Sequence, residues 1–203
     1  MITCYFGLPG VGKSTMLAKI AQKELRRIKR GRSKYKRVLT NFPVAGCHVL
    51  KFAVLGVIDT SDSLILIDEI TMDADNRQFK SFPVTARDAF ILHRKYGCDI
   101  IYFTQNWNAV DKKIRDLTAE LYYLKRLPFL TVGTRIFRRM DINDYSSEIV
   151  YGYRFPNLWE RIKSWIVPGF TIYCACFRPR WYKYFDTFEA PVLPVIDIPM
   201  WNT

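Results

Sequence analysis

"FGLPGVGKST", residues 6–15, is the stretch from which the rest of the chain is read. Its spacing is Gly7-x-x-x-x-Gly12-Lys13-Ser14. Glycines let main-chain N–H groups turn inward with no Cβ in the way. A helix beginning near Lys13 adds unpaired N–H groups and the positive end of its dipole. A nucleotide phosphate chain is a dense anion that needs such donors from several directions at once. The expected phosphate-binding residues are therefore Gly7, Leu8, Pro9, Gly10, Val11, Gly12, Lys13, Ser14 and Thr15. Lys13 is expected to reach the β- and γ-phosphates of ATP, and the Ser14 hydroxyl to hold Mg²⁺.

The flanking sequence supports that use of the loop. Ile2 to Phe6 is a short apolar run that fits a buried strand, and Leu17, Ile20, Ala21, Leu25 and Ile28 form a helical stripe after it. Strand, glycine loop and helix follow in the order such a site requires. "SLILIDEI", residues 63–70, is a continuous apolar run that ends in two acids. Runs of this kind suit strands covered on both faces, as in a parallel sheet. Asp68 is placed to hold Mg²⁺, and Glu69 to accept a proton from water attacking the γ-phosphate. "DIIYFTQ" carries Gln105 to a third strand end. A side-chain amide there can touch the γ-phosphate or the attacking water; an ordinary polar residue at a strand end fits equally. Ligands collect at the carboxyl ends of parallel strands, and Gly7, Asp68 and Gln105 share that location.

Strands and helices alternate up to about Lys125, which predicts an α/β fold with a mostly parallel central sheet. "VLTNFP" reads as a strand stopped by Pro43, and "VTARDAFILHRKYG" as a helix stopped by Gly97. Val110, Ile114, Leu117 and Leu121 recur at helical steps. The expected division is a nucleotide-binding core over residues 1–127 and a β-rich, aromatic and Pro-rich extension over 128–203, packed on the core. In the extension, "TRIFRRMDINDYSSEIVYGYRF" predicts a strand pair with its turn near Asn143-Asp144. Ser164 to Phe177 is fourteen residues without charge. It is too short to span a bilayer and is read as two buried strands joined at Pro168-Gly169, in preference to an interfacial segment.

Half of the 203 residues are apolar, which excludes a disordered chain, and the net charge of +12 favours polyanionic partners. Nine of the fifteen residues from Lys23 to Arg37 are basic and only Glu24 is acidic. That stretch is expected to touch nucleic-acid phosphates, acidic lipid or a protein coat. Five cysteines at no C-x-x-C spacing point to reduced thiols, and no secretory signal opens the chain. No Asn-Lys-x-Asp guanine-reading motif is present, and adjacent acids at 68 and 69 suit water activation better than transfer to a metabolite. Arg77, Arg87, Arg94 and Arg115 are candidates for an arginine supplied across a subunit boundary, and spacing does not choose among them.

Several stretches together resemble the zonular occludens toxin family, which includes assembly ATPases of filamentous phages. They are "GLPGVGKST", "VLTNFP", "LILIDE", "LHRKYGCDIIYFTQNWNAVDKKIRDLTAELYYLKR" and "WYKYFDTFE". The long central piece is the most specific: His-Arg before a glycine, a strand ending in Thr-Gln, then Ile-Arg in a helix. The resemblance implies an additional-strand P-loop ATPase of the FtsK–HerA kind, working as an oligomer and often a ring. It implies Lys13 and Ser14 on nucleotide and Mg²⁺, Asp68 supporting the metal, Glu69 as base and Gln105 as sensor. Arg94 and Arg115 fall on its two arginine positions. The implied setting is the bacterial host cytoplasm at the inner membrane, with phage DNA or the coat assembly as cargo. Family members of this kind carry a transmembrane helix after the ATPase domain, and this sequence reaches Thr203 without one. A soluble motor, a motor tethered by another chain and a longer parent protein all fit that departure. The competing functions are a DNA-packaging ATPase with no membrane role and a membrane-associated adaptor that hydrolyses nothing.

Overall fold

The computed structural model describes residues 1–51, 54–72, 84–142, 149–167 and 171–185. Strand β1 (Ile2–Phe6) lies between two parallel neighbours, β5 (Asp99–Thr104) and β6 (Glu120–Arg126), with Phe6 level with Thr104 and Tyr123. Beyond β5 come β4 (Ser63–Ile67), β2 (Arg37–Thr40) and the two-residue edge strand β3 (His48–Val49), all parallel. Beyond β6 the pairing turns antiparallel: β7 (Leu130–Ile142), then β8 (Ile149–Arg154). The sheet order is thus β3-β2-β4-β5-β1-β6-β7-β8. Strand β9 (Tyr173–Phe177) pairs with the first half of β7, on the edge that its second half offers to β8.

Alternation along each central strand feeds two cores. Ile2, Cys4, Ile65, Ile67, Ile100 and Tyr102 point into one, with residues of helices α2 (Val84–Leu92) and α3 (Lys112–Leu117). Leu64, Leu66 and Phe103 point into the other, against Met16, Leu17, Ala18 and Ala21 of helix α1 (Lys13–Lys29). With both faces covered, the central strands have no solvent side, and their sequences read as unbroken apolar runs. All five cysteines are free.

Three sequence expectations are corrected. Helix α2 ends at Leu92 rather than running to Gly97; turns fill the interval, with the Cys98 N–H on the His93 carbonyl at 2.9 Å. The stripe from Val110 to Leu121 is not one helix. Asp111 caps α3 through the Lys113 N–H at 2.8 Å, the helix stops at Leu117, and Leu121 belongs to β6 opposite Cys4. The pattern looked helical because Val110, Ile114 and Leu121 all enter the same core. Ser164 to Phe177 does not begin as a strand: its first residues finish helix α4 (Leu158–Ile166), and among its described residues only Tyr173–Phe177 is a strand. A capping box starts α4, with the Asn157 side chain on the Glu160 N–H and the Glu160 carboxylate on the Asn157 N–H, both at 2.9 Å. The expected strand pair β7–β8 is present, while Asn143-Asp144 and Pro168-Gly169 lie outside the described residues.

Candidate functional site

The glycine loop leaves β1 at the carboxyl end of the sheet, where the Gly7 N–H donates to the Thr104 carbonyl at 3.2 Å. Two of its glycines are sterically required. A Cβ at Gly7 would stand 2.8 Å from the Leu124 carbonyl oxygen. Gly12 has φ of +92°, and a Cβ there would meet Thr131 Oγ1 at 2.5 Å and Arg178 Cδ at 2.9 Å. The Thr131 hydroxyl donates to the Val11 carbonyl at 2.6 Å, so strand β7 braces the loop from behind. Helix α1 begins with Gly12 at its cap, no capping side chain and no acid in its first turn. Its first N–H groups therefore have no side-chain acceptor supplied at the cap.

Lys13 is buried, and its ammonium donates to the carbonyls of Gly7 at 3.1 Å and Leu8 at 3.3 Å. Burial pulls its pKa down, against the pull of Glu69 and Asp68 in the opposite direction. A buried ammonium is thus held close to the two carboxylates.

Asp68 follows directly on β4. Its Oδ2 accepts from the Ser14 hydroxyl at 2.6 Å, across fifty-four residues of sequence. Burial pushes the Asp68 carboxyl up, the Ser14 bond lowers it, and the Glu69 charge raises it again. Its backbone is fixed by Asn41, the residue after β2: Asn41 Nδ2 donates to the Asp68 carbonyl at 2.8 Å, and the Asp68 N–H donates to Asn41 Oδ1 at 2.7 Å. A hydroxyl and a carboxylate so placed suit a hard cation with oxygen ligands such as Mg²⁺, which takes one or two carboxylates and leaves its other positions to phosphate and water.

Glu69 has φ of +49°, an unusual backbone conformation for a residue with a side chain. Its Oε1 accepts from the Gln105 N–H at 3.2 Å and from the Thr71 hydroxyl. Strand β5 stands between β1 and β4, so the Gln105 backbone comes alongside the acid pair. Lys13, Ser14, Asp68, Glu69 and Gln105 are thereby brought to one end of the sheet.

Arg94 and Arg115 are not. Arg94 lines a surface cavity with Met1, Lys34 and Asp99, at the amino ends of the strands. Five residues of strand, roughly 17 Å, separate that end from the loop of the same chain. Arg115 lies near the close of α3, where Arg138 of β7 donates to the carbonyls of Arg115, Asp116 and Thr118. Its Nε is buried without a hydrogen-bond partner. Arg87 lies 3.7 Å from the adjacent Asp88, and Arg77 is outside the described residues.

Four contributors escape a motif reading. Asn41 and Thr131 are described above. Arg126, at the end of β6, donates to the Gly10 carbonyl at 3.2 Å and is exposed. Arg178 is buried; its guanidinium donates to the carbonyls of Leu127 at 2.9 Å, Leu130 at 3.4 Å and Pro128, while its stem lies against Gly12. All four come from strands or turns far from residues 6–15 in sequence.

The basic stretch occupies the far end of α1. Gly31 and Arg32 N–H groups fold back onto the carbonyls of Ile28 and Arg27, both at 2.9 Å, and close the helix. Arg27, Lys34, Lys36 and Arg37 are in ion pairs, with Glu24, Asp99, Asp62 and Asp59. Lys29, Arg30 and Arg32 are exposed and have no acidic partner among the described residues. Among the described residues, no helix is long and apolar enough to cross a membrane.

A glycine loop between strand and helix, an acid pair on a strand one removed, and an inserted strand carrying a polar end define an additional-strand P-loop NTPase fold. The zonular occludens toxin (Zot) family model matches residues 2–156, and the chain belongs to that family. Among solved structures, the N-terminal domain of zonular occludens toxin from Neisseria meningitidis is similar, with TM-score 0.53 and 18% identity over 77% of this chain and 94% of that one. The genome-packaging NTPase B204 from Sulfolobus turreted icosahedral virus 2, in complex with ATP-gammaS, gives TM-score 0.43 and 11% identity over 74% and 95% of the two chains. A search of curated proteins gives no match.

Proposed function

We propose that this chain hydrolyses ATP and that it drives assembly or extrusion of a phage particle. The carrying observation is the meeting of Ser14 with Asp68 and of Glu69 with Gln105 beside the Lys13 loop. In this reading the loop amides and Lys13 bind the β- and γ-phosphates. Ser14 and Asp68 hold Mg²⁺, which offsets phosphate charge when bound. Glu69 takes the proton of the attacking water, and Gln105, tied to Glu69 through its own N–H, orients that water or reports loss of the γ-phosphate. The buried setting of Lys13 strengthens its attraction for phosphate.

Arg94 and Arg115 serve, in this proposal, a neighbouring subunit of a homo-oligomer, possible only because neither touches its own loop. Lys29, Arg30 and Arg32 contact the phosphates of phage DNA. The site of action is the cytoplasmic face of the host inner membrane. A genome-packaging motor is the second reading; the same exposed basic cluster supports it, since either cargo contains nucleic acid.

ATP turnover with and without DNA tests the proposal. Lys13→Ala is expected to abolish nucleotide binding. Glu69→Gln is expected to bind ATP and to hydrolyse it roughly 10²–10⁴-fold more slowly. A wild-type chain that binds ATP without turning it over would leave an adaptor; normal turnover by Glu69→Gln would remove the base assignment.

A further inference from the structure

Helix α4 has no buried residue. Leu158, Trp159, Ile162, Trp165 and Ile166 are all exposed, the two tryptophans to 79% and 89%. At 100° per residue these five side chains share an arc of about 120°, with Arg161 about 40° beyond one edge and Lys163 about 40° beyond the other. Glu160 and Ser164 take the opposite side. That back side is anchored: Glu160 accepts two bonds from the Arg154 guanidinium of β8, at 2.8 and 2.7 Å. Phe155, between β8 and the helix, packs edge-on against Tyr123 of β6 at 6.2 Å. The apolar arc is thus held outward on a fixed corner of the sheet, with a cation on each flank and its one acid turned away.

We propose that α4 is a peripheral membrane anchor that lies in the headgroup plane of an anionic bilayer. Tryptophan favours that depth, because its ring is apolar and its N–H reaches polar neighbours. Arg161 and Lys163 extend from the flanks to lipid phosphates while their stems cover the apolar arc. A second copy of the chain fits the face less well. A nine-residue helix is about 14 Å long and 10 Å across, small beside the ~800 Å² that each partner contributes to a stable interface. The proposal extends the reading of a motor at the membrane face, and it uses none of the nucleotide-site residues.

The test is flotation of the 203-residue chain with vesicles, alongside ATP turnover of the same samples. The chain is expected to float with phosphatidylcholine–phosphatidylglycerol vesicles and poorly with phosphatidylcholine alone, and brominated acyl chains are expected to quench its tryptophan emission. The double variant Trp159→Ser, Trp165→Ser is expected to lose roughly tenfold or more in vesicle binding, with turnover unchanged. Arg161→Glu with Lys163→Glu, which leaves the apolar arc intact, is expected to erase the preference for anionic lipid. Failure of the wild type to float, or flotation of the double tryptophan variant at the wild-type level, would overturn the proposal. So would a tryptophan variant that changes only the oligomer size in sedimentation, which would assign the face to a second copy. Loss of turnover with flotation intact would strike the ATPase reading and leave the anchor standing.

Discussion

Asn41 grips the main chain of Asp68 from both sides, donating to its carbonyl at 2.8 Å and accepting from its N–H at 2.7 Å. The carboxylate that meets Ser14 is therefore aimed by a residue of the neighbouring strand. Two half-buried hydrogen bonds lost together cost about 1–3 kcal/mol and leave the acid free to turn. Asn41→Ala is expected to lower ATP turnover roughly 10-fold or more and to raise the Mg²⁺ concentration needed for half-maximal rate. A turnover loss with an unchanged Mg²⁺ requirement would assign Asn41 to general stability.

Arg178 joins the turn of residues 127–130 to the back of the glycine loop through the carbonyls of Leu127, Pro128 and Leu130. Arg178→Met keeps the stem against Gly12 and removes the guanidinium. Its expected cost is about 2–4 kcal/mol in urea unfolding, because three carbonyls lose a charged donor. Gly12→Ala is expected to be worse for nucleotide binding than for folding, since the strained φ and the clash with Thr131 fall on the loop itself. Isothermal titration with ATP, set beside the urea curves, separates the two effects.

Asp99 contributes a pH dependence of its own. Burial pushes its carboxyl up, but bonds from Lys34 at 2.7 Å, the N-terminal ammonium and the Tyr35 hydroxyl outweigh it and hold the pKa at about 2. A folded-state pKa below the unfolded value of ~3.9 adds stability above that value, lost as pH falls toward 2. Asp99→Asn is expected to lower stability by about 1–2 kcal/mol at pH 7, allowing for solvent screening, and to converge with the wild type near pH 2. Parallel melting curves from pH 2 to 7 would show a constant gap if the ion pairs contribute nothing.

Lys29, Arg30 and Arg32 are exposed at the closed end of α1. If they meet DNA phosphates, replacing all three with Ala removes about three counterion-releasing contacts. The slope of log affinity against log salt is expected to become shallower by about 2–3, with no change in sequence preference. Filter binding across a salt series measures it; an unchanged slope would place the DNA contact elsewhere.

The place of the glycine loop was legible because it is set by consecutive residues: the glycines, Lys13 and Ser14 need only the strand before them and the helix after them. Asp68 and Glu69 were legible for a similar reason, since a run of apolar residues marks a covered strand and its end marks the sheet edge where ligands gather. The stripe through Val110, Ile114 and Leu121 misled because a helix leaving the core and a strand returning to it bury side chains at the same intervals. The start of the uncharged run from Ser164 misleads because apolar residues ordinarily lie inside, as Ile172 and Cys176 do, whereas the cap at Asn157 and the anchor at Arg154 hold Trp165 and Ile166 out.

What the amino-acid order determined by itself is the local machinery: a loop, a helix start and acids at a strand end, each set by neighbours in sequence. What only the tertiary structure decided is the company they keep. Strand order alone brings Gln105 beside Glu69, Asn41 beside Asp68, and Thr131 and Arg178 behind Gly12, and it leaves Arg94 at the opposite end of the sheet. The reason is that hydrogen bonds between strands join residues dozens of positions apart, and no pattern within a single segment records which strands will be neighbours.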